Sequence, residues 1–329
     1  MTEKKVWHLT RSVVNCLQLN DKKNQQKEKP TMARNTLQTA DYDFNVERQP
    51  LLLPNGSKSR VFAHVRTDTN EELGYGTEQY GFVQNADLID LADEAFESRG
   101  MTPTSRRIVV TGRGEKLYGQ YDFLDETAQA TRREDRVKGM EMGMRLTLQN
   151  SFDRSLRVSI ALGMVRLVCT NGMTSMEKEF GVTRKHSTQV ELGFIGDAID
   201  KARGGFAQAA QGFSVLGDID ITQEQGRNVL DQLNKAKVLS NVVRDGIVKI
   251  WDNPTHKEDE ARNLWNLYNA TTQHLTHAVN DDRFEYSNTV SNNVLRRLRG
   301  AAVSPAKLNR LVTSVPKDVV VTESDVALN

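Results

Sequence analysis

The sequence predicts an α+β fold: antiparallel β-hairpins forming a twisted sheet in the first half, followed by a helical second half. Three observations carry this. Between residues 60 and 170, apolar and polar residues alternate with period two, and Asn/Gly/Asp clusters punctuate the runs. From about Gly181 the apolar residues move to helical spacing. The β-rich part precedes the helical part without interleaving, which is the order expected of α+β chains. The expected organisation is a leader over 1–31, a β-rich core domain over 32–190, a helical region over 191–300 and a tail over 301–329.

In chain order, residues 47–59 read as a loop with a turn signal at Pro54-Asn55-Gly56-Ser57. Arg60 to Arg66 alternates as a strand, and Leu73 to Val83 reads as a second one, joined through Asp68-Thr69-Asn70. Its glycines mark a bulge or a close backbone approach. A helix is expected from Asn85, as N-cap, to Gly100, as the residue just past the end. Leu88, Leu91, Ala92, Ala95 and Phe96 form its apolar stripe; Asp87, Asp90, Asp93, Glu94 and Glu97 form a solvated acidic face. Arg106 to Tyr121 reads as a hairpin turning at Gly112-Arg113-Gly114, and residues 122–140 as a charged, partly mobile stretch. A second hairpin pairs Glu141–Asn150 with Ser155–Thr170. Helices are expected over Val190–Arg203, Thr222–Ser240, Asn241–Trp251, Lys257–Asn280 and about Asp282–Gly300, with Pro254 as a break.

The chain has 329 residues, 38% hydrophobic and 26% charged, enough to bury a substantial core. No run approaches the roughly 20 apolar residues of a membrane span, and no signal-peptide core opens the sequence. Cys16 and Cys169 lie far apart, without ligand-spaced partners. The expected setting is therefore the cytoplasm of a bacterial host cell, with no membrane partner, cofactor or metal. Residues 1–31 hold seven Lys/Arg against three Asp/Glu, a polar stretch of disordered type. Lys27-Glu28 can be encoded by a ribosome-binding sequence a short distance before Met32, so translation is expected to start at Met32; the alternative is a disordered N-terminal arm.

Catalytic templates are absent: no G-x-S-x-G elbow, H-E-x-x-H, Walker loop or Rossmann fingerprint occurs. The Gly112-Arg113-Gly114 element lacks the third glycine and following helix of a phosphate cradle. His274 and His277 lack a third ligand. Cys169 with His186 is the one conceivable nucleophile pair, but Cys169 sits in an apolar strand, where a thiol behaves as a small hydrophobe. No enzyme is expected.

Basic residues are the better lead. Residues 105–185 hold 15 Lys/Arg against 10 Asp/Glu. Arg106, Arg107 and Arg113 fall on one hairpin, Arg145, Arg154, Arg157 and Arg166 on the next, and Arg184 and Lys185 follow. Alternate strand positions share a face, so these residues are expected to form a stripe. Tyr75, Tyr80, Tyr118 and Tyr121 lie on the same or neighbouring hairpins. Cations for phosphates and rings for bases are what single-stranded nucleic acid requires. The competing reading is a solvated face with ion pairs to Asp122, Glu134 and Asp135.

Two elements of the second hairpin carry a family resemblance. An Asn-Ser-x-Asp-x-Ser turn is Asn150-Ser151-Phe152-Asp153-Arg154-Ser155, and an Arg-x-Val-Cys-x-Asn element is Arg166-Leu167-Val168-Cys169-Thr170-Asn171, followed by Lys185-His186. Asn171-Gly172 reads as a turn requiring positive φ. The pattern resembles the phage/plasmid-like protein family that includes YfjQ, a domain-of-unknown-function family. Phe152 and Arg154 stand where a small or polar residue is expected.

The resemblance implies a phage or plasmid setting, and no reaction comes with it. The expected function is single-stranded DNA binding, with strand annealing in recombination or replication. In that reading Arg154, Arg157, Arg166, Arg184 and Lys185 hold phosphates, and Tyr118 or Tyr121 stacks bases. The alternative is a non-catalytic self-assembling or host-interaction protein, using the acidic helix face and the run Leu264-Trp265-Asn266-Leu267-Tyr268. Both readings favour a homo-oligomer.

Overall fold

Two antiparallel sheets occupy the first half of the chain and helices the second, so the fold is α+β. The computed structural model describes residues 41–129, 140–167, 172–173, 181–187, 192–279 and 283–313, all within one compact unit. The expectations for Met32, the leader, Cys169, Asn171 and residues 314–329 fall outside this set.

A three-stranded sheet, in the order β1-β2-β3, is built from β1 (Val46–Leu52), β2 (Lys58–Arg66) and β3 (Glu72–Thr77). Residues 47–52, read as loop, are thus a strand. Their polar side chains and Pro50 hide the period, yet the backbone pairs with β2, from Val46 opposite Arg66 to Leu52 opposite Lys58. The second strand of the sequence reading is shorter than expected, ending at Thr77.

Helix α1 (Asn85–Glu97) follows. Asn85 is not its cap: Gln84 is, without a side-chain bond, while Asn85 is fully buried and accepts from Asn150 Nδ2 at 2.9 Å. The C-terminal end matches the expectation. Gly100 has φ +64°, and Met101 N–H returns to the Phe96 carbonyl, the paired turn that a left-handed residue closes.

The six-stranded sheet comprises β4 (Ser105–Thr111), β5 (Lys116–Gln129), β6 (Glu141–Ser151), β7 (Val158–Arg166), β8 (Gly172–Met173) and β9 (Val182–Arg184). Strands β4 to β8 run in that order, and β9 also pairs with β7. Both expected hairpins form. The charged segment after Tyr121 continues as strand to Gln129, which pairs with Glu141 across a bulge between Phe123 and Thr127. Register decides the faces. Tyr121, Leu146 and Leu162 stand side by side, as do Phe123, Met144 and Met164, and all six belong to the main core. The opposite face carries Gln120 beside Thr147, Asp122 beside Arg145 and Gln149 beside Ser159.

Helices α1 and α2 (Phe194–Gln211) contribute to the core on the apolar face, and α2 crosses β5, β6 and β7. Beyond them lie α3 (Ser214–Gly217), α4 (Gln223–Lys235), α5 (Asn241–Asp252), a 3-10 turn (Lys257–Asp259), α6 (Leu264–His277), α7 (Phe284–Ala302) and α8 (Pro305–Val312). Thr222 caps α4 in a reciprocal box: its hydroxyl accepts from Gln225 N–H, and the Gln225 side chain accepts from Thr222 N–H. The tail expected beyond residue 300 instead begins with the end of α7 and with α8, opened by Pro305 at a first-turn position. The run Leu264, Trp265, Leu267 and Tyr268 is buried, with Trp265 edge-on to Phe213 at 5.7 Å, so it is core and offers no contact surface.

Candidate nucleic-acid interface

The expected basic stripe divides according to strand parity and burial. Arg106 lies opposite Tyr121 on the core-facing side, bonded to Asp93 of α1 at 2.8 Å and to the Tyr42 hydroxyl at 2.7 Å. Arg107 lies on the other face, opposite Gln120, with its guanidinium over the Phe284 ring. Arg145 donates to both oxygens of Asp122, at 2.5 and 2.7 Å, in a largely buried fork. Arg166 has no exposed surface and donates to Asp259 at 2.7 Å. Arg113 is exposed but tied to Glu115 at 3.1 Å in the β4–β5 turn. Arg106, Arg145 and Arg166 thus spend their charge on internal carboxylates. Asp93 and Asp259, the partners of Arg106 and Arg166, come from α1 and from the 3-10 turn, 13 and 93 residues away.

The rings behave similarly. Tyr118 packs against Phe284 at 5.0 Å and Tyr121 against Phe96 at 4.9 Å, and both are buried. Neither presents a face to a base. Burial pushes both phenols far above the ordinary tyrosine range. The exposed ring of this region is Tyr75 on β3, 44% accessible, in a cleft of about 520 Å³ lined by Arg113 and Lys116, which pair with Glu115 and Glu285, and also by Glu72 and Asp153.

What the fold does gather is a smaller cluster. Val158 pairs with Arg184, so Arg184 stands on the core-facing side, its guanidinium 5.1 Å from the Phe194 ring, and Arg157 and Lys185, the next positions outward, share the other face at this edge of the sheet. Arg154 stands three residues earlier in the β6–β7 turn. All four are exposed, and among the described residues none is paired with a carboxylate. Asp153 is occupied in the turn, accepting from Ser155 N–H at 2.8 Å and the Ser155 hydroxyl at 2.6 Å. Arg154 itself holds a left-handed backbone, φ +70°, a region costly for a residue with Cβ. Its guanidinium lies 5.9 Å from the centre of the Tyr80 ring.

Beneath this rim, residues from three segments join. Phe152, expected at a surface turn, is fully buried and packs with Phe44, Val46 and Leu73. His64 of β2 hydrogen-bonds through Nδ1 to the Phe152 carbonyl at 2.7 Å, and the Tyr80 hydroxyl donates to the Ser151 carbonyl at 2.9 Å. Gly74 touches the same turn: a Cβ there would lie 2.7 Å from the Phe152 carbonyl oxygen. The close approach expected of the β3 glycines is therefore real. His64 and Arg48, whose guanidinium donates to the Tyr80 carbonyl, were invisible as site residues in the sequence. Strand alternation sets His64 apart from Ala63 and Val65, and only the folded turn covers that face.

A match to the family model for a domain of unknown function, DUF932, extends over residues 72–303. The chain belongs to the DUF932 family. The match takes in the six-stranded sheet, the β6–β7 turn and the helices to α7, so the family resemblance seen in one hairpin extends over most of the chain. No curated protein and no solved structure matches it. Among the described residues no helix is long and apolar enough to cross a membrane, and no group of three or more His, Cys, Asp or Glu is placed to hold a metal. His274 is packed against Gly246, and burial lowers its proton affinity.

Proposed function

We propose that this DUF932 protein binds single-stranded nucleic acid, with strand annealing in recombination or replication as its role. Its contact surface is the rim formed by Arg154, Arg157, Arg184 and Lys185. The observation that supports this reading is that one turn and the neighbouring edge strand carry four exposed cations with no carboxylate partner among the described residues. Phosphate contacts of this kind bind without reading base edges. Tyr75, in the cleft that Asp153 also lines, takes the stacking role expected of Tyr118 and Tyr121. Stacking on one exposed ring favours an unpaired strand over a duplex.

Fluorescence anisotropy with labelled single-stranded and duplex DNA tests the proposal. Four phosphate contacts on a single strand give a log–log salt slope of about −3, or roughly fiftyfold weaker binding between 50 and 200 mM salt. The double substitution Arg157→Glu/Lys185→Glu halves the slope and weakens binding at low salt, with circular dichroism unchanged. Salt-independent binding, or none at low salt, overturns the reading in favour of a host-interaction protein that acts without nucleic acid.

A further inference from the structure

Three aromatic rings from three separate segments form a continuous pile at the junction of the two sheets. His64 of β2 stacks on Tyr80 with centroids 5.2 Å apart and planes 18° apart. Tyr80 meets His186, which follows β9, at 4.8 Å. His64 Nδ1 and the Tyr80 hydroxyl both donate to backbone carbonyls of the β6–β7 turn, and His186 Nδ1 faces the Gly81 carbonyl at 3.3 Å. With Nδ1 carrying the proton in each, the Nε2 atoms are bare lone pairs, and among the described residues neither has a hydrogen-bond partner. His64 Nε2 is pressed against Gly76, so closely that a Cβ there would come within 2.7 Å.

A second proton on His64 therefore creates a buried N–H with no acceptor among the described residues; at His186 the Gly81 and Leu156 carbonyls favour the proton, and burial outweighs them. The charges acting on His64 are Arg48 from β1 and Arg154 from the β6–β7 turn, both cations. His186 feels His64, so the two rings oppose each other's protonation. Asp153 acts on Tyr80, but among the described residues no carboxylate acts on either imidazole. Burial, the largest influence, outweighs the bond to the Phe152 carbonyl and with the two cations holds His64 below the ordinary histidine value of 6.5; burial does the same for His186 against its carbonyl contacts.

We propose that the His64–Tyr80–His186 pile is a proton-sensitive latch. It holds the three-stranded sheet against the β6–β7 turn while both imidazoles are neutral and releases the sheet when they take up protons. A histidine whose folded proton affinity is depressed contributes fully above pH 6.5. That contribution is lost as the pH falls through the ordinary histidine range, where the opened form protonates and the closed form resists. Each histidine raises the opening equilibrium by up to about thirtyfold between pH 7.5 and 5.0. The device stands independently of nucleic-acid binding, although release would also move Arg154, the residue that joins the latch to the rim.

Hydrogen exchange on the full chain at pH 7.5 and 5.0, corrected for intrinsic exchange rates, tests it. Amides of β1, β2 and β3 are expected to lose protection at pH 5.0 by at least tenfold relative to those of α4 and α5, which serve as internal reference. His64→Asn/His186→Asn keeps a donor near each Nδ1 position, removes both titrations and flattens the response; His186→Asn alone reduces it. Equal relative protection at the two pH values in the parent chain overturns the proposal whether or not the double variant folds. An undiminished response in a folded variant also overturns it.

Discussion

Arg166→Met isolates the buried charge pair that ties β7 to the 3-10 turn between α5 and α6. Arg166 is fully enclosed and reaches Asp259 at 2.7 Å, so the methionine keeps much of the apolar stem's packing while removing the guanidinium. Asp259 is then a buried carboxylate without its cation. Its cheapest escape is to take up a proton. From an ordinary value of 3.8 that costs at most about 4 kcal/mol at pH 7 and about 1.5 kcal/mol at pH 5. Burial already pushes Asp259 upward in the parent, with Arg166 pulling the other way, so the deficit falls short of that ceiling. Urea denaturation is expected to show a loss of about 2–4 kcal/mol at pH 7, shrinking to about 1 kcal/mol at pH 5. Arg166→Met/Asp259→Leu removes both charges and is expected to return to within about 2 kcal/mol of the parent. A deficit below about 1 kcal/mol at pH 7, or one equal at both pH values, refutes the reasoning.

Three further outcomes follow from the geometry. Gly74→Ala drives a Cβ to 2.7 Å from the backbone of Phe152 and Asp153, which cannot retreat as a flexible side chain would, and is expected to cost about 1–3 kcal/mol in thermal or urea unfolding. Thr222→Ala removes the hydroxyl half of the α4 capping box and is expected to cost about 1 kcal/mol by the same measurement. At Arg154, φ +70° separates stability from binding: Arg154→Gly is expected to be neutral or stabilising by up to about 1 kcal/mol, Arg154→Val to destabilise by about 1–2 kcal/mol, and both to weaken single-strand binding in the anisotropy assay.

The sequence alone determined the class of the fold and most of its elements, because those depend on local rules. Period-two runs made the hairpins around Gly112 and Phe152, Gly100 stopped α1, and helical spacing placed a helix from Thr222, which the structure ends at Lys235. It missed β1, where charged residues and Pro50 mask a strand that exists through its pairing with β2. It also missed α8, too short to show a period. The candidate site was half legible. Counting cations marked the hairpins where they lie, and the competing reading named Asp122, but a count cannot show that Asp93, Asp122 and Asp259 neutralise Arg106, Arg145 and Arg166. Those partners arrive from other strands and helices, at sequence separations of 13, 23 and 93 residues. Phe152, His64 and Tyr80 likewise look like turn or surface residues until the three-stranded sheet closes over them. Local propensity is written along the chain. Which charges stay free, and which rings are buried, depends on contacts between distant segments, and only the tertiary structure brings those together.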